Sequence, residues 1–140
     1  MVQKLIKFPG LLLFILLLSA PLFPASDQAE LSFRSLQKSF TIKDEENFGK
    51  EASLFLKKFP GSIHVPEVNL LLADKESDTD LAVEKYRSVI KNYSRFKRRE
   101  YALYKICQVL DLKSKWKELL AESDSGIRLF PNGAYSNYFR

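Results

Sequence analysis

A phrase that ends a helix recurs through the chain at an interval near 34 residues. Phe59-Pro60-Gly61-Ser62, Asn92-Tyr93-Ser94-Arg95 and Phe130-Pro131-Asn132-Gly133 place their aromatic residues 34 and then 37 positions apart. An interval of this size is that of a two-helix unit, which cannot bury its apolar face alone and is stabilised by stacking on its neighbours. The residues before each phrase step by three and four, the helical period. They are Phe48, Ala52, Phe55 and Phe59; Ala82, Tyr86, Val89/Ile90 and Tyr93; and Trp116, Leu119/Leu120, Ser123, Ile127 and Phe130. Pro60 and Pro131 do not continue a helix easily, and Gly61 and Gly133 supply turn backbone. Trp116 is expected to fill the junction between the helices of the third pair.

Between these segments lie three further helical stretches: Gln28 to Phe40, about Val65 to Asp74, and about Arg95 to Leu110. Pro66 suits the first turn of the second stretch. The third contains Tyr101-Ala-Leu-Tyr-Lys-Ile-Cys-Gln-Val-Leu110, apolar almost all round, as expected of a helix covered on two sides. Asp78, Thr79 and Asp80 place a cap and negative charge at the start of the helix that ends at Tyr93. The connections are short, so consecutive helices are expected to pack antiparallel. With only five Gly and six Pro in 140 residues, composition also leans away from short strands and tight turns.

The first 25 residues read as an address. Lys4 and Lys7 precede Leu11-Leu-Leu-Phe-Ile-Leu-Leu-Leu18, and the small and Pro-containing stretch Ser19 to Ser26 follows, the pattern of a secretory signal. The aliphatic core is short of the ~20 residues that span a bilayer, so an uncleaved anchor is the alternative reading. Cleavage is expected near Ala25 or Ser26, because Pro21 disfavours cutting after Ala20. No Cys follows the apolar core, as lipid attachment would need. The expected domains are thus a signal peptide over 1–25 and a helical repeat domain over 26–140.

Charge is uneven along the remainder. Residues 26–90 hold 9 basic and 12 acidic residues, whereas residues 91–140 hold 11 and 5, a net +6. A basic half can meet an acidic partner, anionic lipid or nucleic acid, and export argues against nucleic acid. The sharpest cluster is Arg95-Phe-Lys-Arg-Arg99, placed at a helix start where positive charge opposes the macrodipole.

Catalytic chemistry finds little footing. The single Cys107 sits among Ile106, Val109 and Leu110, where a thiol packs and loses reactivity. The single His64 has no second His or Cys near it and suits a turn or cap, so no metal site and no cofactor are expected. Three Ser-x-x-Lys matches, at Ser35, Ser88 and Ser114, lack the companion motifs of the penicillin-binding enzymes.

The segments Ala82-Val-Glu-Lys-Tyr86 through Tyr93-Ser94 resemble the tetratricopeptide-repeat superfamily, in which a small residue stands 12 before a helix-ending Pro and an aromatic four after the small one. Ser94 replaces that Pro here, and Cys107 and Trp116 stand at the family's small and aromatic positions in the third unit. More narrowly, the chain is similar to bacterial envelope members such as BamD-like outer-membrane assembly proteins and periplasmic Tol-Pal-associated proteins. The resemblance covers residues 28–140. It implies an all-α, right-handed solenoid of about three antiparallel pairs, and a non-enzymatic module binding an envelope protein or peptide. Its partner-binding residues would be Arg95, Lys97, Arg98, Arg99, Tyr101, Tyr104, Lys105 and Gln108, with Asn69 also on the inner lining. The alternative is an accessory envelope subunit docking on anionic lipid or cell-wall polymer through its basic half. Gly133-Ala-Tyr-Ser-Asn-Tyr-Phe-Arg140 starts like the first helix of a fourth pair. Either the repeat continues in a longer protein, or these aromatics pack back on the third pair or on another copy.

Overall fold

The computed structural model describes residues 25–140; the expected signal peptide, apart from Ala25, lies outside the described residues. Every regular element among them is helical: α1 Ala25–Thr41, α2 Glu45–Lys58, α3 Val65–Asp74, α4 Thr79–Asn92, α5 Arg99–Leu112 and α6 Trp116–Leu129. None of these helices is long and apolar enough to cross a membrane. The principal contacts join consecutive helices, from α1 on α2 through to α5 on α6.

Local chemistry explains the boundaries. Asp44 accepts the Asn47 N–H at 3.2 Å to start α2, and Asp78 accepts the Asp80 and Leu81 N–H groups at 2.8 and 3.1 Å to start α4. Side-chain caps of this kind satisfy donors that a helix start leaves orphaned. Between α1 and α2, and again between α5 and α6, the chain passes through a left-handed residue, Lys43 (φ 60°) and Ser114 (φ 54°). The following N–H groups, of Asp44 and Lys115, reach back to the carbonyls of Ser39 and Leu110 at 3.0 and 2.9 Å. That is the Schellman closure, made twice without glycine.

The three aromatic residues of the repeated phrase share one backbone state. Phe59 (φ −128°, ψ 54°), Tyr93 (−122°, 66°) and Phe130 (−135°, 55°) cap α2, α4 and α6, each donating its N–H four residues back. The same double turn follows. Ser62, Phe96 and Gly133 donate to the carbonyls of these aromatics at 3.0, 2.9 and 3.1 Å; Val65, Arg99 and Ser136 then donate to Ser62, Phe96 and Gly133 at 3.1, 3.4 and 3.3 Å.

The core has two clusters that share α3. Val68 and Leu71 join Phe33, Leu36, Phe48, Ala52 and Phe55, while Leu70 and Ala73 join Val83, Tyr86, Val89, Leu103, Ile106 and Leu110. A helix feeding both clusters must be apolar on two faces, as α3 is.

Two expectations change, and for residues 133–140 the alternative of packing back on the third pair is the one found. The double turn after Tyr93 uses residues 95–98, so α5 starts at Arg99 and not at Arg95. Trp116 fills no junction and is 57% exposed. The steps of three and four place Leu119, Ser123, Gly126 and Phe130 on one line of α6 and Trp116, Leu120 and Ile127 on the adjoining line. The first line carries the buried Gly126 and the partly buried Leu119 and Phe130, whereas all three residues of the second are exposed. Residues 133–140 begin no fourth pair in the described structure. They turn and pack back, burying Phe139 in the α4–α5 cluster.

Candidate partner-binding site

The double turn after Tyr93 carries the basic cluster and brings it against the turn and helix start that follow Phe59. Ile63, Pro66 and Glu67 on one side and residues 92–98 on the other line an open groove of about 840 Å³. Ile63 is 87% exposed there, and Tyr93 and Phe96 are partly buried. Asn69 donates its amide to the Tyr93 hydroxyl at 3.1 Å and to the Val65 carbonyl at 2.9 Å, fixing one wall.

The four cations of the cluster have separate fates. Arg95 and Lys97 are exposed on the rim and pair with no carboxylate among the described residues. Arg98 donates to Glu67 and lies 4.7 Å over the Tyr101 ring. Arg99 donates to the carbonyls of Ile90 and Ser94 at 3.0 and 2.9 Å and lies 5.9 Å from the Phe130 ring. The charge misplaced at the start of α5 thus serves the end of α4, where carbonyls and the macrodipole favour a cation.

The α5 residues of the expected set do not reach the groove. Tyr101 and Tyr86 both donate to Asp74, at 3.2 and 2.6 Å. Burial, reinforced by the Asp74 charge, pushes the Tyr101 phenol up to about 12 and raises Tyr86 further. Tyr104 accepts from the Gln108 amide at 2.6 Å, stacks on Tyr135 at 4.4 Å and meets the edge of Tyr138 at 4.7 Å. Tyr101, Tyr104, Lys105 and Gln108 are all partly buried. The expected set therefore divides into a basic groove and an aromatic face covered by residues 133–140.

Sequence reasoning missed Ile63, Pro66, Glu67 and Phe96. Of these, Glu67 belongs to a carboxylate latch that recurs after each of the three helix-ending aromatics. Glu30 meets His64 at 2.8 Å, Glu67 meets Arg98, and Glu100 meets the Tyr135 N–H at 2.7 Å. His64, Arg98 and Tyr135 each stand five residues after a helix-ending aromatic. Two of the three also stack on rings of an earlier helix, His64 on Phe33 at 4.1 Å and Tyr135 on Tyr104. Each latch ties the first helix of one pair to the turn that follows that pair.

Cys107 lies fully buried, 4.0 Å from the Ser123 hydroxyl, and burial pushes its thiol up to about 11. A thiol held protonated in this way is a packing residue. Among the described residues no three His, Cys, Asp or Glu side chains gather to hold a metal ion. No protein-family model, no curated protein and no solved structure matches this chain.

Proposed function

We propose that this chain is a non-enzymatic interaction module of the bacterial cell envelope, a right-handed solenoid of tetratricopeptide-like helix pairs that takes an acidic segment of an envelope protein or peptide. The recurrence of one cap, one double turn and one carboxylate latch in three successive units supports the solenoid reading. The signal-like residues 1–25 support the envelope.

The groove between Ile63 and Lys97 carries the functional reading. It joins apolar walls of Ile63, Pro66 and Phe96 to two cations that pair with no carboxylate among the described residues, a combination that suits an extended segment with carboxylates beside an apolar side chain. Charge at the rim speeds encounter and selects sign, while the walls supply the contact that holds.

Titration calorimetry of the chain with acidic peptides carrying one aromatic residue tests this. Binding is expected to weaken as salt rises and to fall at least about tenfold in the Arg95→Glu/Lys97→Glu double variant. Equal binding by that variant removes the groove from the function. Saturable binding to vesicles rich in anionic lipid, with none of the peptides bound, transfers the function to a lipid or polymer surface.

A further inference from the structure

The third latch differs from the first two in what it holds. After Phe59 and Tyr93 the double turn leads into α3 and α5, but after Phe130 it leads into turns alone, with the Tyr138 N–H donating to Tyr135 at 2.9 Å. These residues are nonetheless seated firmly. The Glu100 carboxylate accepts the main-chain N–H groups of Ala134 and Tyr135 at 2.9 and 2.7 Å. Tyr135 stacks on Tyr104, Tyr138 stands edge-on to the same ring, and Phe139 presses on the backbone of Gly126.

We propose that Glu100, Tyr104 and Gly126 form a second binding site, for an aromatic peptide segment, and that residues 133–140 are its occupant in cis. The ligand is defined by what each element recognises. Glu100 reads two successive backbone N–H groups, whatever side chains they carry. A glycine just before them is favoured, because a Cβ at Gly133 would overlap the Glu100 carboxylate and push that side chain off the two N–H groups. Tyr104 reads a flat ring, and the bare backbone at Gly126 admits a phenyl ring four residues further on. The class is therefore Gly-x-aromatic-x-x-aromatic-aromatic.

The segment is bound as a ligand is bound. It contributes no helix, it enters through the exposed residues Pro131 and Asn132, and Tyr138 leaves 42% of its surface in water. Only Phe139 is fully inserted, a single anchor in a pocket with peripheral contacts around it. A segment of a second protein offering the same groups meets the same partners. The site is separate from the basic groove, whose lining ends at Arg98.

The test uses the full chain with a specific protease site inserted between Pro131 and Asn132, cut after folding. Native mass spectrometry and fluorescence anisotropy then follow a labelled synthetic peptide with the sequence of residues 133–140. The cut segment is expected to dissociate on dilution and the labelled peptide to take its place saturably. Peptides with Phe139→Ala or Gly133→Ala, and protein with Gly126→Ala, are expected to bind at least about tenfold more weakly. Arg95→Glu/Lys97→Glu is expected to leave this binding unchanged, which separates its failure from that of the groove. Loss of helical signal on cutting, failure of the peptide to enter, or equal binding of the Phe139→Ala peptide would each overturn the proposal. Hydrogen exchange in the uncut chain gives an independent reading: the amides of Ala134 and Tyr135 are expected to open well before those of Ala102 to Ile106, and exchange of both sets only through global unfolding would refute it.

Discussion

The ring of Phe139 rests on the backbone of Gly126, so close that a Cβ there would come within 2.5 Å of the ring's Cγ. An alanine in mid-helix ordinarily stabilises by up to ~1 kcal/mol over glycine. At Gly126 that gain is overtaken by the collision, because the ring that must move is 3% exposed and packed into the core. Gly126→Ala is expected to destabilise by about 1–3 kcal/mol. Gly49, in α2, has nothing within 4 Å of its added Cβ. Gly49→Ala is expected to stabilise by about 0.5–1 kcal/mol, so thermal denaturation of the two variants should move in opposite directions.

Trp116→Ala should change stability little despite the size of the ring. At 57% exposure the tryptophan gives up a fraction of the area that the fully buried Phe55 would lose. The expected costs are below about 1 kcal/mol for Trp116→Ala and about 3–5 kcal/mol for Phe55→Ala. Urea titrations that rank them the other way would show that α6 packs through the line of Trp116, Leu120 and Ile127.

The recurring helix end was legible because Phe59, Tyr93 and Phe130 are conspicuous residues doing one backbone job, and the limits of α3 could be read from Pro66 and the apolar run behind it. The start of α5 could have been read too. Val65 lies six residues after Phe59, and Arg99 lies six after Tyr93, so the first unit already contained the answer. The fate of α6 was not legible. Its apolar positions cover two adjoining lines, and periodicity does not say which line meets another helix. The surroundings of the basic cluster were not legible for a related reason. Four cations within five residues look alike in sequence, and only the approach of Glu67 and of the Ile90 carbonyl separates Arg98 and Arg99 from Arg95 and Lys97, which pair with no carboxylate among the described residues. The latch was invisible because its spacings of 34, 31 and 35 residues vary from unit to unit.

Asp74 gathers two phenols, and this should appear in alkali. Tyr101 and Tyr86 keep their protons past the ordinary phenol value of 10.0, through burial first and the Asp74 charge second. A pKa raised by folding contributes stability that is fully present below the unfolded value and lost as pH climbs through the folded one. Phenolate absorbance should therefore show Tyr101 and Tyr86 ionising late, together with the loss of helical signal, beside Tyr138, which burial also raises. Asp74→Ala leaves two part-buried hydroxyls short of an acceptor and should cost about 1–3 kcal/mol at neutral pH. Late ionisation of Tyr101 and Tyr86 unchanged in that variant would mean that burial alone sets them.

The acid limb depends on carboxylates that tie elements together. Glu30 is held below its ordinary 4.5 by hydrogen bonds from Arg34 and then His64, Glu76 chiefly by Lys85, and Asp80 below 3.8 chiefly by Lys113. A pKa lowered by folding contributes stability that is present above the unfolded value and lost as pH falls through the folded one, since the unfolded chain then binds more protons. The melting temperature should consequently hold from neutrality down to the ordinary carboxylate range and fall below it. All three carboxylates are accessible to solvent, so the slope should flatten as salt rises. Among them Glu30 fastens α1 to the turn before α3, and Glu30→Gln should loosen that end first. Hydrogen exchange in α1 should then accelerate at neutral pH, while α5 and α6 keep their protection. If the Glu30→Gln, Glu76→Gln and Asp80→Asn variants all retain the parent's acid slope, the sensitivity lies in other carboxylates of the chain.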